Sequence, residues 1–152
     1  MKINFTKYEG NGNDFIIIDD RKEEFSEDNV LMISKLCDRK FGIGADGLIL
    51  LRKHKAYDFQ MIYFNSDGNE SSMCGNGGRC LVSYALQLDI DLKTNSFLAI
   101  DGVHKFKVVD NEIYLKMNDV NDIVVKNGYN FLNTGSPHVV QIVENVDEIN
   151  VY

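Results

Sequence analysis

Residues 71–80 read Ser-Ser-Met-Cys-Gly-Asn-Gly-Gly-Arg-Cys, and the fold turns on the residues after Cys74. Downstream, Cys80, Tyr84 and Leu88 recur at helical spacing, with Leu81 and Ala85 beside them. This periodicity predicts an amphipathic helix from about Asn76 to Leu88. The thiol of Cys74 then stands at a helix start, before Gly75-Asn76-Gly77-Gly78, whose small side chains cannot cover it. The unpaired N–H groups of a first helical turn carry partial positive charge, which favours a thiolate beside them. Arg79 either adds to that charge or is solvated.

Outward from this helix the signals are mostly extended. Lys2–Tyr8 alternates apolar and polar side chains, and Asp14–Asp19 carries the run Phe-Ile-Ile-Ile, so both read as strands. Ser26 caps an expected helix through Lys40, with Val30, Ile33, Leu36 and Cys37 on one face. Leu48–Leu51 reads as a buried strand, and Tyr57–Asn65 as another, closed by the turn Ser66-Asp67-Gly68-Asn69. Beyond Leu88, Phe97–Ile100, His104–Val109 and Glu112–Met117 form an expected meander with turns at Asp101-Gly102 and Asp110-Asn111. Val120–Val125 and Val139–Val143 supply two more strands. Many strands, two helices and short turns indicate an α+β fold.

The 152 residues suit one domain, or one and a fragment of another. With 44% hydrophobic residues the chain can bury a core, and it has no apolar run long enough for a membrane helix and no leader-like N-terminus. The expectation is a cytoplasmic soluble protein. A net charge of −7 argues against a nucleic-acid surface, which needs a basic face. It leaves room for small anionic ligands held by backbone N–H groups.

"GIGADG" at Gly42–Gly47 satisfies the dinucleotide-loop pattern literally. That pattern works only between a strand and an opening helix, and here a helix precedes it and a strand comes after. A helix C-terminal turn is the plainer reading.

Three cysteines are too few for a disulfide scaffold. Six residues of helix set Cys74 and Cys80 about 240° apart, so the two cannot pair on one face. The histidines, His54, His104 and His138, have no zinc-site spacing, and no metal is expected. Cys37 and Cys80 sit on apolar stripes and read as core. For Cys74, three readings stay open: a nucleophile needing a histidine partner, a proton-transfer base, or an incidental residue at a glycine-rich helix start. Asn13, in "GNGNDF", and Asn65, in "YFNSDG", are equally open between capping a turn and offering an amide to a zwitterionic ligand.

Taken together, "GNGNDF" (10–15), "FGIGADGL" (41–48), "YFNSDGNESSMCGNGGRC" (63–80) and "NTGSPHVV" (133–140) resemble diaminopimelate epimerase in order and spacing. The resemblance runs the length of the chain. It implies a cofactor-independent isomerase interconverting LL- and meso-diaminopimelate, in lysine and peptidoglycan biosynthesis. It implies two pseudo-symmetric halves, each a curved, barrel-like, mostly antiparallel sheet around a central helix, and it suggests a homodimer. Each half of such an enzyme contributes one cysteine; one thiolate removes the α-proton and the other thiol protonates the opposite face. By this resemblance Cys74 is the first-half cysteine. Asn13 and Asn65 match substrate-binding asparagines, and Gly75 and Asn76 match the backbone that receives the α-carboxylate. Ser136 stands where many relatives carry asparagine, and Gly47 where some carry a ligand-facing glutamine.

A faint internal echo gains meaning here. Gly12-Asn13-Asp14-Phe15-Ile16-Ile17 and Gly135-Ser136-Pro137-His138-Val139-Val140 match the same element of each half. The resemblance thus assigns residues 1–118 to the first half and 119–152 to the opening strands of a second. Carrying the Asn13–Cys74 spacing over to Ser136 puts the second cysteine near position 197, roughly, beyond Tyr152. The expectation is a partial enzyme with little or no epimerisation by itself. The alternatives are a racemase of another amino acid such as histidine, a non-catalytic interaction fragment, and a redox-sensing thiol.

Overall fold

The computed structural model describes residues 2–26 and 28–150. The chain forms two compact units, Met1–Met117 and Asn118–Tyr152. The first contains β1 (Thr6–Gly10), β2 (Asn13–Asp19), α1 (Val30–Cys37), β3 (Gly47–Arg52), β4 (Phe59–Asn65), α2 (Gly75–Gln87), β5 (Ser96–Ala99), β6 (Gly102–Val109) and β7 (Glu112–Leu115).

The seven strands make one sheet in chain order. Four of its six pairings are antiparallel; β2–β3 and β4–β5 are parallel. A parallel pair needs a crossover, and α1 and α2 provide the two. Helix α2 touches β1 and β7, the two edges of the sheet, as well as β2 and β3. The sheet therefore curls around α2 as a half-barrel, in line with the curved sheet around a central helix that the resemblance implies.

Alternation along the central strands builds two cores. Phe15, Ile17, Ile49, Leu51, Phe59 and Met61 pack with Leu81, Val82 and Ala85 of α2. Their neighbours Ile16, Ile18, Leu48, Leu50, Ile62 and Phe64 pack with Phe25 and with Ile33 and Cys37 of α1. Strands covered on both faces need no polar side, which explains the unbroken Phe-Ile-Ile-Ile and Leu-Ile-Leu-Leu runs. Each such residue stabilises the fold by roughly 1.5–3 kcal/mol relative to exposure.

Several boundaries differ from the sequence reading. β1 starts at Thr6 rather than Lys2, because its ladder runs back from a two-residue turn, Asn11-Gly12, with φ of 56° and 83°. Positive φ at both central residues suits a tight hairpin. α1 was expected from Ser26 to Lys40, a span in which Glu27 lies outside the described residues. It starts at Val30, where the Asn29 side chain accepts from the Met32 N–H at 3.0 Å. Upstream, the Asp20 carboxylate takes the N–H groups of Glu24 and Phe25 at 2.9 Å each, holding that stretch as a turn. Downstream, Asp38 accepts from Lys40 and Phe41 and is itself extended, which stops the helix at Cys37.

The second unit is a three-stranded antiparallel sheet of β8 (Ile123–Lys126), β9 (Tyr129–Asn133) and β10 (Pro137–Val140) in the order β10-β9-β8, with a 3₁₀ turn after it at Val146–Glu148. Its outer strands replace the expected Val120–Val125 and Val139–Val143. The central strand, Tyr-Asn-Phe-Leu-Asn, has no β-branched residue and was not anticipated. No described residue of this unit is buried. No helix among the described residues is long and apolar enough to cross a membrane.

Candidate active site

Register brings the motif residues to one rim of the curled sheet. Phe15 lies beside Gly47 across β2–β3, and Gly47 beside Asn65 across β3–β4. The start of β2, the start of β3 and the end of β4 thus share one end of the sheet. The N-terminus of α2 meets that rim, because the Cys74 S–H donates to Asn13 Oδ1 at 3.5 Å.

Cys74 is half-buried and is the N-cap of α2, with extended φ and ψ of −101° and 125°. Its carbonyl accepts the first helical bond, from the Gly78 N–H at 2.7 Å. Its sulfur makes no capping bond, so it leaves the first-turn N–H groups to other acceptors and turns to Asn13. The glycines after it serve packing as well as access. A Cβ on Gly77 would lie 2.9 Å from Ile49 Cδ1, and one on Gly78 2.9 Å from Leu115 Cδ2. The helix start is therefore seated directly on the core.

The other two thiols are chemically quiet. All three cysteines are free, and burial pushes Cys37 and Cys80 each up to about 11. Among the described residues Cys74 hydrogen-bonds none of the histidines, each of which has other partners. His54 Nδ1 receives the N–H groups of Ala56 and Tyr57, His104 Nε2 meets Asp101 at 2.9 Å, and His138 contacts its own hairpin. No group of three or more potential metal ligands occurs among the described residues.

The sequence reading missed the charged network behind Asn13. Asn13 Nδ2 donates to Asp46 Oδ2 at 2.8 Å. Arg39 bridges Asp46 Oδ1 at 2.6 Å and Asp14 Oδ1 at 2.8 Å, and Lys7 meets Asp14 at 2.7 Å. Arg39, and then Lys7, hold the Asp14 carboxyl well below the usual carboxylate range against the cost of partial burial. The same two carboxylates hold the Arg39 guanidinium above its ordinary value, Asp14 more than Asp46. The available signal was Asp46 itself, inside "GIGADG": what fails as a phosphate loop is the turn that delivers this carboxylate. After α1 the glycines fold back, with Ile43 and Gly44 N–H groups both on Leu36 O, and lead into a strand rather than a helix.

The remaining expected residues fall in three places. Gly75 and Asn76 open α2 beside Cys74, and Asn76 Oδ1 accepts from the Arg79 guanidinium. Asn65 lies exposed on the same rim, its side chain without a hydrogen bond among the described residues while its backbone closes the adjoining turn onto Gly68 and Asn69. Ser136 belongs to the second unit, exposed in the β9–β10 turn, where its carbonyl accepts from the Thr134 N–H at 3.0 Å. Chemically, the rim offers a solvent-accessible thiol, an amide in contact with it, and a helix N-terminus suited to a carboxylate.

The model of the diaminopimelate epimerase family matches residues 5–121. The chain belongs to the diaminopimelate epimerase family. A diaminopimelate epimerase of Flavobacterium psychrophilum is 53% identical over 146 residues, covering 95% of this chain and 57% of the relative. The chain spans 57–59% of the length of such diaminopimelate epimerases. Among solved structures, a Bacillus anthracis phenazine biosynthesis protein of the PhzF family aligns with TM-score 0.66 and 19% identity, over 97% of this chain and 58% of that one. A probable proline racemase from Agrobacterium radiobacter aligns with TM-score 0.59 and 11% identity, over 86% and 49%. At these identities the likeness is one of fold.

Proposed function

We propose that this chain supplies one half of the active site of a cofactor-independent isomerase, a cytoplasmic diaminopimelate epimerase of lysine and peptidoglycan biosynthesis. Residues 1–118 are the first half and 119–152 the opening strands of the second. The observation that carries this reading is the contact of Cys74 with Asn13 at the mouth of α2. Two motifs 61 residues apart in sequence meet there, in a chain of this family.

The α-proton of an amino acid is a very weak acid, so the charge that develops at Cα needs electrostatic stabilisation. The first-turn N–H groups at Gly75 and Asn76 receive the substrate α-carboxylate, and the amides of Asn13, Asn65 and the side chain of Ser136 orient the amino acid. One cysteine, as thiolate, takes the α-proton from one face of Cα. The other, as thiol, returns a proton to the opposite face, inverting the centre; the reverse reaction exchanges the roles. Cys74 is one of the pair and the second half carries the other. The enzyme acts on a small amino acid, as a homodimer.

The test is α-proton exchange of LL-diaminopimelate in deuterium oxide by the full-length gene product, followed by NMR. Cys74→Ser is expected to lower the exchange rate by roughly 10²-fold or more. Undiminished exchange in that variant would exclude Cys74 from the chemistry. Faster exchange of histidine than of diaminopimelate would assign another substrate to the same site.

A further inference from the structure

We propose that Asp46 is a positioning residue that fixes the Asn13 side-chain amide with its carbonyl oxygen toward Cys74, so that the resting site holds Cys74 as the protonated, proton-donating partner. The inference rests on the reading of Cys74 as a reacting sulfur and adds what sets its state before substrate arrives.

An asparagine amide is ambiguous by itself, since either end can face a sulfur. Here the ambiguity is removed by chemistry. A carboxylate only accepts, so the Asn13 atom 2.8 Å from Asp46 Oδ2 is the NH₂ group. The carbonyl oxygen is thereby the atom 3.5 Å from Cys74 Sγ, and it can receive only an S–H. A thiolate in the same place would face an oxygen lone pair.

The carboxylate that sets this direction is itself held from several sides. Asp46 Oδ2 also accepts from the Asp14 N–H at 3.2 Å, and Oδ1 is held by Arg39 at 2.6 Å. The backbone N–H of Asp46 answers with bonds to Asp14 O and Oδ1, at 3.0 and 3.1 Å. The two aspartates clasp each other across the β2–β3 register, and Arg39 ties them together. For the amide to turn over, Asn13 would have to present its oxygen to a fixed carboxylate. Near the sulfur stand also the first-turn N–H groups of α2 and Arg79, the Asp46 carboxylate, and the Tyr63 hydroxyl and Cys80 thiol, the last two uncharged near neutral pH because burial pushes them up to about 12 and about 11.

A double-mutant cycle separates orientation from bare charge. The rate of Cys74 alkylation by iodoacetamide, read by peptide mass spectrometry, is followed against pH in wild type, Asp46→Asn, Asn13→Ala and the double variant. With Asp46→Asn the amide is free to turn its NH₂ to the sulfur, and the pH midpoint is expected to fall by about half a unit, raising the rate near neutral pH roughly threefold. In the Asn13→Ala background the same substitution is expected to move the midpoint little. An equal shift in both backgrounds would reduce Asp46 to a nearby charge, and no shift in either would overturn the proposal. Should Asp46→Asn fail to fold, the wild-type chain labelled with ¹⁵N-asparagine decides: an Asn13 amide proton is expected to exchange more slowly than those of exposed Asn11, and equal exchange would overturn the orientation. Alkylation of Cys74 no faster than Cys37 and Cys80 in wild type sinks the underlying reading of the sulfur instead, and is recognised separately.

Discussion

Gly47 and Tyr63 occupy one volume. A Cβ on Gly47 would lie 2.5 Å from Tyr63 Cε2 and 2.5 Å from the carbonyl oxygen of Phe64. The ring can swing, but the carbonyl belongs to the β3–β4 ladder and cannot. The space beside Gly47 is filled by a tyrosine that burial pushes up to about 12. Gly47→Gln is therefore expected to destabilise the chain by about 2 kcal/mol, measured as a lower urea midpoint. An unchanged midpoint would show that the strand yields without cost.

How legible the molecule was depends on whether the deciding interaction was local. α2 was readable because its apolar stripe repeats every turn, and β2 and β3 because burial on both faces leaves continuous runs. The start of α1 was hidden, since a carboxylate from the end of β2 ties up the backbone where Ser26 was expected to cap. β9 was hidden because its faces are not buried and it is a five-residue strand with no β-branched residue. In the site, Cys74 and Asn13 announced themselves through motifs, whereas Asp46 reaches Asn13 across 33 residues through a parallel register no local pattern encodes.

Asp20 tests that hidden interaction. It is 3% exposed, pairs with Arg52 Nε at 2.9 Å and receives two backbone N–H groups. Asp20→Ala strands those donors and removes a buried partner of Arg52. A loss of about 3 kcal/mol is expected in urea unfolding, with Asp20→Asn losing less because it keeps the volume and one acceptor. A loss under about 0.5 kcal/mol for the alanine variant would place it with ordinary surface sites.

Asp14 makes the acid limb of stability testable. Its carboxyl is held below the usual range in the folded chain, mainly by Arg39 and then Lys7, and titrates near 4 when unfolded. A depressed folded value means that its contribution is complete above about pH 5 and drains as pH falls through 4 and below. Asp19 beside Arg21, and Asp38 and Asp67 on backbone N–H groups, shift the same way, so Asp14 supplies one share of the slope. The stability gap between wild type and Asp14→Asn should be wide at pH 6 and narrower at pH 3. A gap that stays constant over that range would remove the carboxylate's ionisation from the account.

The second unit contributes exposed apolar strands and no buried residue among those described, while both cores lie within the first. Ile123, Val124, Val125, Val139 and Ile142 are all more than half exposed. Stability tracks buried area, so a chain ending at Met117 should unfold within about 0.5 kcal/mol of the 152-residue chain. The same truncation removes a sheet with exposed apolar side chains, the kind of surface that templates association. It should therefore stay monomeric to higher concentration in analytical ultracentrifugation. A large loss of stability on truncation would mean that the half-barrel depends on the segment after it, and the two cores would no longer account for its folding.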